Sequence, residues 1–265
     1  MYATNYHRAS SVEEAVGLAG TGDDAKFVSG GQTLIATMKQ RLASPSDLID
    51  LRHVPSMKGI SVSGRSVRIG AATTHAEVAS SAELRAVCPG LAHLASGIGD
   101  PHVRHLGTIG GSIANNDPAA DYPAGMLGLG ATIVTDRRQI QADSFFTGLF
   151  DTALEPGELI TEIRFEAPEK SAYAKFANPA SRYAMAGVFV AKRGAEVRVA
   201  VTGAGSDGVF RHAASEQALA TNWSADALSS IGVDADDLMS DLHATAEYRA
   251  NLVKVMTKRA VKAAG

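Results

Sequence analysis

A chain of 265 residues, 45% hydrophobic and 20% charged, is long enough for two modest domains with real cores, and its composition is that of a globular protein. Its formal charge of −3 offers no basic excess for nucleic acid, and no segment approaches the roughly 18 consecutive apolar residues of a membrane span. The opening MYATNYHRASSVEEA has no apolar run of the signal-peptide kind, so a cytoplasmic location is expected.

Ser11, with Glu13 and Glu14 behind it, gives a capping-box start to a helix through VEEAVGLAG. Residues 26–29 read as a strand running into Gly30 and Gly31, and residues 32–42 as a helix with Leu34, Ile35, Met38 and Leu42 on one face. A strand, a glycine turn and a helix N-terminus together make an anion site, because the first N–H groups of a helix are unpaired. Residues 47–51 form the next strand, and the alternation on both sides of Ser63-Gly64-Arg65 is a hairpin signal. Thr74 can cap a helix, and a longer helical stretch over 82–96 is interrupted at Pro89-Gly90.

Cys88 lies on that apolar stretch and reads as structural. As the sole cysteine it cannot supply the thiolates of an iron–sulfur cluster, so any such centre must sit in another chain. In DPHVRHLG, Pro101 and Gly107 argue for a loop, which leaves His102 and His105 as surface or ligand-adjacent groups rather than metal ligands.

Residues 107–124, GTIGGSIANNDPAADYPA, hold a second glycine pair, Gly110 and Gly111, between the hydroxyls of Thr108 and Ser112. Glycine lets a ligand approach the peptide plane, and successive N–H groups can converge on an anion. Asp121, an acceptor, suits a sugar hydroxyl or a ring N–H rather than a phosphate. A lone Gly-Gly pair is equally a close-packing device. Two such turns in one chain are better explained by one diphosphate gripped from both sides. Neither fits GxGxxG or the Walker pattern, and no GxSxG elbow occurs.

Residues 131–136 and 158–168 read as strands, and the pattern shifts at PEKS, residues 168–171, where a domain boundary is expected: 1–169 and 170–265. Strands follow over 172–177, 185–193 and 196–203, then helices to the end. In the last of these, Tyr248, Leu252, Val255, Met256 and Arg259 fall at near-helical spacing, as for a helix packed on the domain's own sheet. No βαβ register with a dinucleotide fingerprint is visible, and the class is α+β.

SGGQTLIATMKQRLASPSDLIDL and GTIGGSIANNDPAADYPA resemble the two flavin-binding motifs of the FAD subunits of molybdenum hydroxylases. The aerobic carbon monoxide dehydrogenase medium subunits are the nearest group and the xanthine dehydrogenase FAD domains a more distant one. YAKFANPASRYAMAG, VRVAVTGAG and EYRANLVKVMTKRAV extend the likeness nearly end to end. The resemblance implies a PCMH-type flavin fold of two α/β subdomains, followed by a small C-terminal domain with an antiparallel sheet and helices. It implies non-covalent FAD held by Phe27, Val28, Ser29, Gly30, Gly31, Gln32, Thr33 and Leu34, by Thr108, Ile109, Gly110, Gly111, Ser112 and Asp121, and by Ile98 and Ile160 toward the adenine. Lys175 would lie near the flavin and Tyr183 would pack by the isoalloxazine. Where many relatives carry an arginine pair and an acidic residue before that tyrosine, this chain has Asn178, Pro179, Ala180 and Ser181, then Arg182.

The implied activity is that of an electron-transfer subunit in an oxidoreductase. It takes electrons from [2Fe-2S] clusters in a small partner and hands them to an external acceptor; a large partner carries a molybdopterin-type cofactor. A dimer of heterotrimers is the implied assembly. A self-contained FAD-dependent oxidase or reductase of the same fold is the alternative; it would need its own substrate pocket with a proton donor.

Overall fold

The computed structural model describes residues 1–265. The chain opens with β1 (Asn5–Arg8), α1 (Val12–Ala19), β2 (Ala25–Val28), α2 (Leu34–Lys39) and β3 (Asp47–Asp50). The three strands are parallel, in the order β1-β3-β2. This is a βαβ arrangement without the dinucleotide fingerprint that the sequence lacks, and the Gly30-Gly31 turn is its crossover start. A crevice outside the carboxyl ends of parallel strands is where ligands bind in such units. At α1, Ser11 Oγ accepts from the Glu14 N–H at 3.1 Å, while the Glu14 carboxylate reaches back to Ser10.

The helix expected over 32–42 is shorter. Gly31 takes a φ of 67°, which leaves Gln32 and Thr33 in the turn, and Arg41 at 63° ends the helical run. Leu34, Ile35 and Met38 pack with Val28 and Leu48, but Leu42, past that left-handed residue, is 75% exposed.

The second unit starts with the expected hairpin, β4 (Ile60–Ser63) and β5 (Ser66–Gly70). Six helices follow: α3 (His75–Ser80), α4 (Ala82–Val87), α5 (Pro89–Ser96), α6 (Pro101–Leu106), α7 (Ile109–Asn115) and α8 (Tyr122–Leu129). Thr74 and Glu77 close a capping box on α3, and the helical stretch divides at Cys88 because Pro89 begins a new helix. The segment expected as a loop around His102 and His105 is helical. Pro101 occupies its first turn, where no N–H is needed, and Asp100 caps it by accepting from the Val103 N–H at 3.0 Å. Strands β6 (Thr132–Thr135) and β7 (Gln139–Gln141), helix α9 (Ala142–Phe145), a small hairpin β8 (Phe146–Gly148) and β9 (Asp151–Thr152), and β10 (Ile160–Glu166) complete the unit. Its sheet is antiparallel, in the order β4-β5-β10-β6-β7.

The rest of the chain forms β11 (Lys170–Ala177), β12 (Ala184–Arg193), β13 (Glu196–Thr202), β14 (Phe210–Arg211), α10 (Ala213–Thr221) and α11 (Ala246–Ala264). The four strands are antiparallel in chain order, and alternation decides which core each residue joins. Phe189 and Ala191 enter the main core of 37 buried residues, which they share with α5 and α8; Val188 and Val190 enter a second core with Leu252, Val253 and Met256 of α11. The sheet is therefore covered on both faces, and α8, buried along its whole length, lies between it and the second unit. On α11 the buried stripe runs through Arg249, Leu252, Val253, Met256 and Ala260, so the face drawn through Tyr248 and Arg259 is rotated toward solvent.

Candidate cofactor-binding site

The two glycine turns are neighbours. A Cβ on Gly30 would lie 2.2 Å from the Leu106 carbonyl oxygen and 2.5 Å from Gly107 Cα, so the first turn rests on the backbone that opens the second motif. The Thr108 hydroxyl donates to Ser29 Oγ at 3.1 Å. Around this junction lies a cleft of about 840 Å³, near the upper end of the range for small-molecule and cofactor sites.

The two turns contribute differently. No acceptor within the chain takes the N–H groups of Gly30, Gly31, Gln32 and Thr33, four consecutive residues that line the cleft. In the second motif the corresponding groups are occupied: Ile109 N–H donates to Thr73 O, Gly110 N–H to Ala71 O and Gly111 N–H to Thr108 Oγ1. The N–H groups left without a partner are thus on one side only, and the second motif brings hydroxyls, that of Ser112 without a partner in the chain.

The glycines divide in the same way. Gly110 is small because a Cβ would strike Ala71 at 2.6 Å, whereas a Cβ on Gly111 would meet Thr108 Oγ1 alone, at 3.0 Å, beside the cleft.

Of the residues singled out in the sequence, Phe27 to Leu34, Ile98, Thr108, Gly110, Gly111, Ser112, Asp121, Ile160 and Tyr183 line the cleft. Two do not. Ile109 is fully buried in the main core, one helical step away from the glycine face. Lys175 stands behind Asp121: its ammonium donates to Asp121 Oδ2 at 3.1 Å and to Gly97 O at 2.8 Å. Burial pushes the Asp121 carboxyl up, against the pull of Lys175 and of a hydrogen bond from Tyr173.

Tyr183 comes from a turn that closes over the cleft. Asn178 Oδ1 accepts from the N–H groups of Ala180 and Ser181, Asn178 N–H donates to Tyr183 O at 2.8 Å, and Arg182 takes a φ of 64°. Arg182 then reaches Gly99 O at 3.4 Å. Arg104 holds Ile98 O at 2.9 Å, next to the Gly99 carbonyl that Arg182 reaches.

Sequence reasoning missed several lining groups, chiefly His75, Asp117, Glu158 and Arg182. His75 and Glu158 carry no local signal and arrive through tertiary packing; Asp117 lies within the second motif and Arg182 beside Tyr183. His75 is 5% exposed, its backbone N–H donates to Gly107 O at 2.9 Å, and its ring packs 5.3 Å from that of Tyr122. Burial, with the nearby Arg104 charge, pushes its pKa down to about 4, so the ring is neutral. Cys88, set between α4 and α5, is fully buried with its thiol pushed up to about 11 by burial, as befits a packing residue.

Residues 2–168 match the FAD binding domain in molybdopterin dehydrogenase. The chain belongs to that family. Full-length relatives say the same. It is 37% identical to the carbon monoxide dehydrogenase medium chain of Hydrogenophaga pseudoflava, with 98% of this chain and 96% of the relative covered. It is 35% identical to the nicotine 6-hydroxylase medium subunit of Paenarthrobacter nicotinovorans, covering 99% of this chain and 98% of that one. Among solved structures, the Hydrogenophaga pseudoflava carbon monoxide dehydrogenase superposes with a TM-score of 0.86 at 36% identity over 99% of this chain and 97% of that one. The quinoline 2-oxidoreductase of Pseudomonas putida 86 gives 0.89 at 26% identity, again over 99% and 97%. The fold is thus the α+β flavin-binding fold of the medium subunits. The chain is an FAD-binding subunit of the molybdenum hydroxylase family, whose members are oxidoreductases. No helix is long and apolar enough to cross a membrane.

Proposed function

We propose that this chain is the electron-transfer subunit of a cytoplasmic molybdenum hydroxylase, receiving electrons from a small iron–sulfur partner beside a large molybdenum partner, in a dimer of heterotrimers. The observation that carries the reading is the meeting of two glycine turns from separate units at one cleft, with four free N–H groups in a row. That donor set fits a diphosphate. FAD, when bound, supplies exchange of one or two electrons with neighbouring centres and with an acceptor.

The chain's residues hold and orient it. Gly30, Gly31, Gln32 and Thr33 donate to the pyrophosphate, with Ser112 adding a hydroxyl, and Phe27, Val28, Ser29 and Leu34 form the wall behind them. Ile160 serves the adenine end. Ile98, implied there by the resemblance, we move to the ring end, because its loop is tied to Arg182 beside Tyr183. Tyr183 covers the ring, and Lys175 acts through Asp121. Thr108 and Ile109 hold the second motif in place.

The domain division at 169/170 belongs to the same proposal. It is supported by the family match ending at residue 168, although Tyr173 and Phe189 beyond it complete the core of the first part.

The test is anaerobic mixing of the FAD-loaded chain with candidate substrates, carbon monoxide and purines among them. Flavin bleaching should appear after the iron–sulfur and molybdenum partners are added. Bleaching at a catalytic rate by the chain alone would overturn the relay and favour a self-contained flavoenzyme.

A further inference from the structure

Behind the cleft wall lies a buried cluster that joins three elements. Tyr173 and Lys175 stand two residues apart on β11 and so share one face, and both reach the side chain of Asp121 at the start of α8. The Tyr173 hydroxyl donates to Asp121 Oδ1 and the Lys175 ammonium to Oδ2, so each carboxylate oxygen has its own donor. Across the ladder, Lys175 pairs with Gly187. A Cβ on Gly187 would lie 2.2 Å from the Tyr173 hydroxyl, so the glycine is what lets the phenol pass to the carboxylate. Asp121 lines the cleft, whereas Tyr173 and Lys175 do not.

Resting on the reading of the cleft as the FAD site, we infer that Tyr173 is a positioning residue for the redox function: its hydroxyl on Oδ1, with Lys175 on Oδ2, holds the Asp121 carboxylate in an ion pair, so that the wall facing the flavin carries balanced charge. Burial alone would favour a protonated Asp121, and the two donors oppose it. The other ionisable groups facing Asp121 are Tyr122 on its own helix and Tyr183 from the overlying turn. Both phenols are pushed up by burial first and by the Asp121 charge second or later, and Asp117 lies beside Tyr183. The His75 ring, against Tyr122, is neutral. None of these donates a hydrogen bond to Asp121 in place of Tyr173.

Removing the hydroxyl has a definite sign. In Tyr173→Phe, Oδ1 is left buried without a donor, so the carboxylate costs more and Asp121 takes up a proton at higher pH. The wall then carries the Lys175 charge uncompensated. A net positive charge beside the ring favours addition of an electron, so the flavin potential rises. Raising the pH ionises Asp121 again and brings the potential back.

Two measurements test this on the full chain. The first follows the Asp121 side-chain carboxyl by carbon-13 NMR in the flavin-free protein, with Asp121→Asn providing the assignment; Tyr173→Phe should move its titration toward neutral pH. The second measures the midpoint potential of bound FAD across the pH range in which the first measurement finds the variant's Asp121 titrating. Asp121→Asn should lie above the parent throughout. Tyr173→Phe should follow Asp121→Asn at the acid end and rejoin the parent at the alkaline end, so that its difference from the parent changes with pH. An unmoved carboxyl titration, or an offset from the parent that is the same at every pH, overturns the inference. A moved titration with a potential indistinguishable from the parent shows the ion pair to be real but remote from the ring, which overturns the placement of the flavin as well.

Discussion

The hydroxyl of Thr108 accepts from the Gly111 N–H at 3.2 Å and donates to Ser29 Oγ at 3.1 Å, so one side chain both caps α7 and ties the second glycine motif to the first. Thr108→Val keeps the shape and removes both bonds. Loss of an N-cap alone costs roughly 0.5–2 kcal/mol, and freeing the two turns from each other should weaken FAD binding about tenfold as well. Flavin fluorescence titration against the parent, with a urea unfolding curve for each, reads both effects. Equal FAD affinity in the two proteins would show the turns to be aligned without this bond.

Gly30 and Gly111 should respond in opposite ways to substitution. An alanine at Gly30 would drive its Cβ into the Leu106 carbonyl, so Gly30→Ala should be destabilised by several kcal/mol with or without flavin. At Gly111 an added Cβ meets only the Thr108 hydroxyl, at 3.0 Å, a side-chain atom that can give, and the residue sits in the first turn of a helix, where aspartate is welcome. Gly111→Asp should therefore fold as well as the parent while its carboxylate repels the diphosphate, lowering FAD affinity by about 100-fold or more. Purified Gly111→Asp that is as yellow as the parent would mean the diphosphate lies elsewhere.

Tyr183 is 48% exposed and lines the cleft, so its ring is accessible from that side. In Tyr183→Ala, about 1 kcal/mol of aromatic contact is lost. FAD should stay bound, with a shifted absorption spectrum and a changed reduction potential. Identical spectra and potentials would remove Tyr183 from the ring contact.

The neutral His75 makes stability depend on acid. Its pKa falls from 6.5 in the unfolded chain to about 4 in the fold, so between these values the unfolded state binds the proton and the native state does not. Stability thus rises with pH across this window: the contribution is complete above the unfolded value and fades as pH falls toward the folded one, up to ~3 kcal/mol in all. His75→Phe, which keeps a ring against Tyr122, should flatten the acid side of a plot of urea midpoint against pH. A variant with the same acid slope as the parent would shift the origin of that slope to other groups.

Several elements were legible in the sequence because their signals are local. The hairpin at Gly64, the Thr74 cap and the break at Pro89 depend on residues within one turn of each other. The failures have local causes too. The helix after Gly31 starts late and ends early because Gly31 and Arg41 adopt positive φ, which hydrophobic spacing does not report. Pro101 reads as a breaker until its place at the helix start is known. The stripe on α11 turned by one position because Arg249, a charged residue, is buried: its guanidinium donates to Met185 O and Gly203 O and pairs with Asp241 at 2.6 Å.

For the cleft, the sequence by itself determined the two glycine motifs, their hydroxyls and the lack of any cluster-forming cysteine set, since these depend on which residues are present and in what order. Only the tertiary structure decided how the parts act. It showed that the N–H groups of one motif are free while those of the other are taken by Thr73, Ala71 and Thr108, that Lys175 lies behind Asp121, and that His75, Asp117 and Arg182 join the wall. The physical reason is that hydrogen-bond satisfaction and burial are set between segments far apart in the chain: Gly110 meets Ala71, Tyr173 meets Asp121 and Arg182 meets Gly99, pairings that no local pattern encodes.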